Sequence, residues 1–244
     1  DAIVEVVRAF DDPNVIHVEG RANPERDIEI VETELMLKDM ETVEKILPRL
    51  ERDAKSGDTK ARETFEAAKS VFEMLKAGTL PSAIGATEIT QALELLSLKP
   101  ILYCFNVQGG KLFPVPAKKN AIELDNKEEL ELSALSAEEI HELGAALRLP
   151  ELIKKCYELL GLITFFTTGE DETRAWTITA GAKAPRAGRA IHSDFEEKFI
   201  RAAVISYTTF TEMGSWAKAR ELGLLRTEGR DYVIAEGDIV EFKI

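Results

Sequence analysis

Apolar residues follow three successive patterns along the chain. The first is a β-branched run, Ala2-Ile-Val-Glu-Val-Val-Arg-Ala-Phe10, closed by Asp11-Asp12-Pro13-Asn14. It predicts a mostly buried strand and a turn. A core strand at the first residues also implies a preceding segment of the same core. From Pro24 the period lengthens. Met36, Met40, Val43, Leu47, Leu50 and Ala54 recur at alternating spacings of four and three, the narrow seam of a coiled coil. Lys55-Ser-Gly-Asp58 interrupts the seam with a capping glycine and an N-cap aspartate. It resumes at Phe65, Ala68, Phe72 and Leu75, so the pattern predicts an antiparallel helical hairpin. A first arm of about 25 residues would reach about 38 Å at 1.5 Å per residue. Pro48 inside it predicts a kink.

A loop is expected over residues 78–85 and a short helix from Glu88 to Leu96. Pro100-Ile-Leu-Tyr-Cys-Phe-Asn106 reads as a strand ending in asparagine, and Phe113-Pro-Val-Pro116 as an edge strand, where proline is tolerated. Strand, helical excursion, strand points to an α/β sheet with an inserted hairpin. Glu123 to Glu131 reads as acidic and solvated. Ser136-Ala-Glu-Glu139 is a capping box opening one helix, and Pro150 to Leu160 forms another. After Gly161 the pattern turns to strands: Ile163–Thr167, Ala175–Thr179, Tyr232–Ile234 and Ile239–Ile244. Ser193-Asp-Phe-Glu196 is read as the capping box of a helix through Arg201. Residues 163–244 are therefore expected to form a small α+β domain, with Phe165, Trp176, Phe195 and Phe199 in its core. Residues 1–162 form the other, with the hairpin at about 25–78.

Charge narrows the function classes. The 244 residues carry 31 Lys and Arg against 44 Asp and Glu, a net charge of −13. From Ile163 onward there are 11 basic and 13 acidic residues, so almost all of the excess lies in the first 162. So acidic a chain meets nucleic acid only through a local basic patch. The best candidate is Lys183, Arg186 and Arg189 with Lys198 and Arg201. No uncharged run approaches the roughly 18 residues of a membrane span. No basic, apolar leader opens the chain, and no membrane partner is expected. Two distant cysteines, Cys104 and Cys156, fit a reducing, cytoplasmic setting. His17, His141 and His192 have no HxxxH or CxxC company, which argues against zinc.

Candidate chemistry is sparse. Gly109-Gly-Lys111 lacks the upstream glycine and the following Ser or Thr of a phosphate loop. Asn126-Lys-Glu-Glu129 mimics a base-recognition motif but falls in an acidic helical stretch. Asn106 is better placed, at the carboxyl end of a strand, where an amide can meet a purine edge. A turn-forming asparagine is the alternative reading of that position. His192 reads as a structural hydrogen-bonding residue.

The run Asp1-Ala-Ile-Val-Glu-Val-Val-Arg-Ala-Phe-Asp-Asp-Pro-Asn-Val-Ile-His-Val-Glu-Gly20 resembles the segment after switch II in the YchF/Obg-like ATPase family. Asp27-Ile-Glu-Ile-Val-Glu-Thr-Glu-Leu35 continues the match into that family's hairpin insertion. Arg174-Ala-Trp-Thr-Ile178, Lys183-Ala-Pro-Arg-Ala187, Ala190–Ala202 and Glu228-Gly-Arg-Asp-Tyr232 are similar to its C-terminal TGS domain. The resemblance implies the C-terminal part of a P-loop GTPase-like sheet with a coiled-coil arm, then a β-grasp TGS domain. It implies binding and hydrolysis of ATP or GTP with Mg2+, whose phosphate and metal ligands would lie upstream of Asp1. It also implies a ribosome or rRNA partner through the TGS domain or the arm, and a role in translation or stress. Asn106 and Val107 match the first two positions of the family's Asn-x-x-Glu base motif, but Gly109 stands where its Glu belongs, which leaves base preference open. Pro114-Val-Pro-Ala-Lys118 resembles, weakly, the loop that closes the base site. An RNA-binding adaptor without chemistry is the alternative function.

Overall fold

A computed structural model of the protein describes residues 1–17, 20–79, 93–109, 114–169 and 172–244. It divides into two compact units, Asp1–Lys155 and Cys156–Ile244. The division falls inside one helix, upstream of the change to strand character that the sequence places at 162.

The first unit is built on a three-stranded, wholly parallel sheet of β1 (Ile3–Arg8), β2 (Ile101–Asn106) and β3 (Ala121–Leu124), in that order. β3 was not expected. Acidic composition hides its two-residue alternation, in which Ile122 and Leu124 are buried and Glu123 is exposed. Together with Cys104 they pack against Leu152 of α5 (Leu149–Leu160). On the opposite face Val7, Ala9 and Phe105 pack against Ile28. Pro114–Pro116 forms no strand: Val115 joins that apolar cluster instead. Two prolines in four residues leave too few amide donors for a ladder. Phe113 lies outside the described residues. α3 (Asn126–Leu132) and the capped α4 (Ala137–Glu142) follow β3.

Between β1 and β2 stands the helical pair. α1 (Pro24–Ala54) has 31 residues, longer than expected, because its cap is Asn23 and it runs on through Pro48. α2 (Thr59–Lys76) starts at the Asp58 cap. Gly57 sits at φ 93° in the turn, a conformation costly for residues with a Cβ. Val43, Leu50, Ala68, Val71 and Leu75 are buried between the helices. Val71, not Phe72, is the fully buried residue of that stretch of the second arm.

One buried charge fixes how the chain leaves the pair. Asp39, on the apolar side of α1, is 2% exposed. Its carboxylate accepts the backbone N–H groups of Leu96 at 2.8 Å and Ser97 at 2.7 Å. These open the short 3-10 turn Leu96–Leu98 that feeds β2. Most of the helix expected from Glu88 to Leu96 lies outside the described residues; of those described, 93–95 are turn and coil, and Leu96 opens the 3-10 turn.

The second unit holds a mixed five-stranded sheet, in the order β5-β4-β8-β6-β7. The strands are β4 (Leu162–Thr168), β5 (Thr173–Thr179), β6 (Arg201–Ser206), β7 (Arg226–Glu228) and β8 (Asp238–Lys243). β4 and β8 are parallel, and the other pairs are antiparallel. Adjacent residues face opposite ways, so Phe165 meets α6 (Ala184–Arg189) and α7 (Ser193–Glu197), while Phe166 meets α8 (Tyr207–Met213) and α9 (Trp216–Glu221). Phe165, Phe195 and Phe199 surround the Phe242 ring at centroid distances of 6.0, 6.0 and 6.3 Å. Gly188 permits the close approach of α6 to α7, since a Cβ there would lie 2.9 Å from Phe195 Cβ.

Three expectations need correction here. The cap of α7 is His192, whose Nδ1 accepts from the Asp194 N–H, and not Ser193. Arg201 does not end that helix but begins β6. Tyr232–Ile234 forms no strand; only Val233 bridges to Lys183. The reason is a polar knot. Buried Asp238 accepts from Tyr232 Oη at 2.8 Å and from the Ala235 N–H at 2.9 Å, with Arg226 at 3.4 Å. These bonds hold residues 232–235 against the turn at 236–237, which the Asp238 N–H closes on the Ala235 carbonyl at 3.2 Å before β8.

Two outcomes follow. Asp39→Ala strands two buried amides at about 1–3 kcal/mol each, so chemical denaturation should show a loss of roughly 3 kcal/mol, and Asp39→Asn a smaller one. A fragment spanning 156–244 should give a dispersed amide NMR spectrum, since it contains every member of its own core; a collapsed spectrum refutes its independence.

Candidate functional site

The carboxyl end of a parallel sheet is where open α/β folds hold ligands. Here that end is tied together by short backbone contacts. Asn106 closes β2, and its carbonyl accepts the Ala9 N–H at 2.8 Å. The Val107 N–H donates to the Leu124 carbonyl at 3.0 Å. The Asn126 N–H donates to Asn106 Oδ1 at 3.2 Å. That bond orients the Asn106 side chain: its oxygen is engaged, and among the described residues its amide nitrogen has no partner. Such an amide can donate to an acceptor edge such as purine N7.

Asp125 holds the other wall. One oxygen accepts the N–H groups of Lys127 and Glu128, both at 3.1 Å, capping α3. The other accepts the Gly109 N–H at 2.8 Å. Gly109 adopts φ 58°, a left-handed conformation that glycine takes without steric cost. So where the family motif places a glutamate, this loop has no side chain, and a carboxylate from the neighbouring strand end grips its backbone instead. Asp125 was missed in the sequence. Its signal was the N-cap pattern Asp125-Asn-Lys-Glu128 directly after the alternating strand residues. Asn126 was discounted for lying in a helix; it is the first residue of that helix and reaches Asn106 through its backbone.

Pro114–Lys118 comes to a different place. With Arg21, Asn23 and Glu25 it lines an open cavity of about 920 Å3 beside the first turn of α1, and Asn106 is not among the lining residues. Val115 does share an apolar cluster with Val107. Among the described residues no three His, Cys, Asp or Glu side chains converge as a metal site.

The basic candidates in the second unit are gathered but compensated. Lys183 meets Asp231 at 2.7 Å, Arg186 and Arg189 share Glu196 at 3.9 and 2.9 Å, and Lys198 meets Asp194 at 3.0 Å. Lys183 in turn lowers the Asp231 carboxyl below its ordinary range. Arg201 is exposed at the start of β6, with no ion pair among the described residues. All four pairs lie at the surface, where water screens them and they hold their partners weakly.

Residues 162–244 match the YchF-GTPase C-terminal family, described as a protein of unknown function. The ribosome-binding ATPase YchF of Bacillus subtilis is 40% identical, the match covering 100% of this chain and 73% of that protein. The protein of the same name from Escherichia coli O157:H7 is 36% identical over 99% of this chain and 72% of its own length. Obg-like ATPase 1 of Gallus gallus is 36% identical, covering 100% and 68%. The solved structure of the Schizosaccharomyces pombe YchF GTPase superposes with a TM-score of 0.80 at 34% identity, covering 100% of this chain and 72% of that one. On these matches, spanning the parallel sheet, the helical pair and the C-terminal unit alike, the chain belongs to the YchF/Obg-like ATPase family.

Proposed function

We propose that this chain supplies the purine-recognition side of a nucleotide site in a ribosome-associated ATPase or GTPase. The observation that carries the reading is the Asn106 amide, fixed by the Asn126 backbone at the carboxyl end of β2, with its donor nitrogen unengaged among the described residues. Val107, whose N–H is spent on Leu124, sets the position of the loop that follows. In this reading the base is held here, while phosphate binding and hydrolysis, with Mg2+, depend on groups that these 244 residues do not contain as a G-x-x-x-x-G-K-[ST] sequence. The names of the relatives, ribosome-binding ATPase and Obg-like ATPase, support the same assignment.

The second unit fits a TGS domain of β-grasp type, and the helical pair fits a coiled-coil arm; either would serve as the contact with rRNA. No described helix is long and apolar enough to cross a membrane. Lys183, Arg186, Arg189, Lys198 and Arg201 are the proposed phosphate contacts. Their carboxylate partners, exposed at Asp231 and partly buried at Asp194 and Glu196, are weak competitors that an RNA backbone can displace.

Two measurements test this. Calorimetry on the 244-residue chain should give no micromolar ATP affinity. At millimolar ATP or GTP, where binding is worth only about 4 kcal/mol, NMR should shift the Val107 and Asn126 amides. Asn106→Ala should abolish those shifts, and shifts confined to other residues would move the site. Replacing Lys183, Arg186 and Arg189 together by Glu should weaken ribosome co-sedimentation. It should also flatten its salt dependence by about two to three units, one counterion per lost phosphate contact. Unchanged binding would direct attention to the hairpin turn near Lys55–Lys60.

A further inference from the structure

β1 carries a residue that the nucleotide reading does not use. Glu5 is 6% exposed, and among the described residues neither of its carboxyl oxygens has a hydrogen-bond partner. Its register partner on β2 is Tyr103. The Tyr103 hydroxyl donates elsewhere, to Glu32 Oε1 of α1 at 2.6 Å. Lys118 donates to the same oxygen at 3.3 Å, with its ammonium 4.6 Å from the Tyr103 ring centroid. Two donors beside a buried acid are thus both committed to a second carboxylate.

That arrangement is stable while Glu5 is neutral. A buried carboxylate without a donor is far more costly than a buried carboxylic acid. Burial and the negative charge of Glu32 raise the Glu5 carboxyl to about 7, with Lys118 acting in the opposite direction. Burial and the bond to Glu32 also raise the Tyr103 phenol, which stays protonated and a donor.

We propose that Glu5 is a proton-controlled switch for the Pro114–Lys118 segment. With Glu5 protonated, Lys118 and Tyr103 hold Glu32. When the Glu5 O–H bond breaks and its proton passes to solvent, the new buried carboxylate draws the Lys118 ammonium away from Glu32, and the segment shifts with its lysine. The groups facing Glu5 are Glu32 from α1, Tyr103 from β2 and Lys118 from the segment. The movement has two readouts within the fold. Lys118 lines the cavity beside the first turn of α1, and Val115 packs in the same cluster as Val107, next to Asn106. The switch stands independently of what ligand the Asn106 site takes.

The test uses the whole 244-residue chain. Between about pH 5 and pH 9, the Tyr103 ring and Val115 methyl resonances should move in one transition centred near neutrality, well above an ordinary glutamate. Glu5→Gln should abolish it and hold both resonances at their low-pH positions. Stability gives a second reading. The folded state binds the Glu5 proton more tightly than the unfolded chain. The urea midpoint should therefore fall as pH rises from about 4.5 to about 7, then level, and this slope should vanish in Glu5→Gln. Should Glu5→Gln fail to fold, Glu32→Gln decides, because it removes the repelling charge and leaves only a neutral amide oxygen to compete for Lys118. The transition should then move to lower pH. A flat wild-type response near neutrality, a transition that survives in Glu5→Gln, or one unmoved in Glu32→Gln overturns the proposal.

Discussion

The architecture of the first unit turns on a single buried carboxyl group, that of Asp39. β1 and β2 are neighbours in a parallel sheet, yet the whole helical pair lies between them in sequence. Apolar packing between α1 and α2 is non-directional and does not specify where the chain must re-enter the sheet. The Asp39 carboxylate does. It takes two consecutive amides at the start of a 3-10 turn and so fixes both position and direction for the approach to β2. Val43 and Leu50 add contact area to the same helix face, but a directional constraint requires hydrogen bonds.

The second unit solves a comparable problem with a comparable device. Asp238, 3% exposed, gathers a phenol, an amide and a guanidinium at the entrance to β8. β8 lies at the centre of the sheet, with Phe242 as the hub of its aromatic cluster. In both units, then, an acidic side chain inside an apolar layer sets the geometry of a strand entry. Each is matched by enough donors that the charge is tolerable, and this is the respect in which Glu5 stands apart.

What could be read from the sequence was whatever repeats. The helical seam, the Lys55–Asp58 turn, the capping box at Ser136 and the strands β2, β4 and β5 all announce themselves through spacing or cap residues. What could not be read depends on partners remote in sequence. Asp39 lies three residues after Met36 and four before Val43, on the apolar stripe, so a signal was present; its meaning required knowing that Leu96 and Ser97 return to it. The run Tyr232–Ile234 reads as a strand from its β-branched and aromatic residues, but Asp238, outside the run, bonds Tyr232 and Ala235 and keeps it from becoming one. β3 was lost beneath its acidic flank. At the Asn106 site the asparagine was legible from its place after an apolar strand, whereas Asp125 becomes meaningful only once Gly109 is seen beside it. The basic cluster in the second unit was visible as composition, but the carboxylates that accompany Lys183 and Arg189 come from other segments of the chain.

The distance along the chain between β1 and β2 has a consequence for the order of events in folding. Pairing them before α1 and α2 exist would mean closing one long, flexible loop, and contacts of high sequence separation form slowly. The helices, by contrast, are joined across the short turn around Gly57 and gain their mutual burial from nearby residues. Once α1 is formed, Asp39 is a fixed acceptor on a rigid rod, and capture of Leu96 and Ser97 delivers Ile101 to Ile3 with little chain left to order. The hairpin therefore acts as a template for the sheet, and a defect in α1 would appear first as a slower approach of β2 to β1.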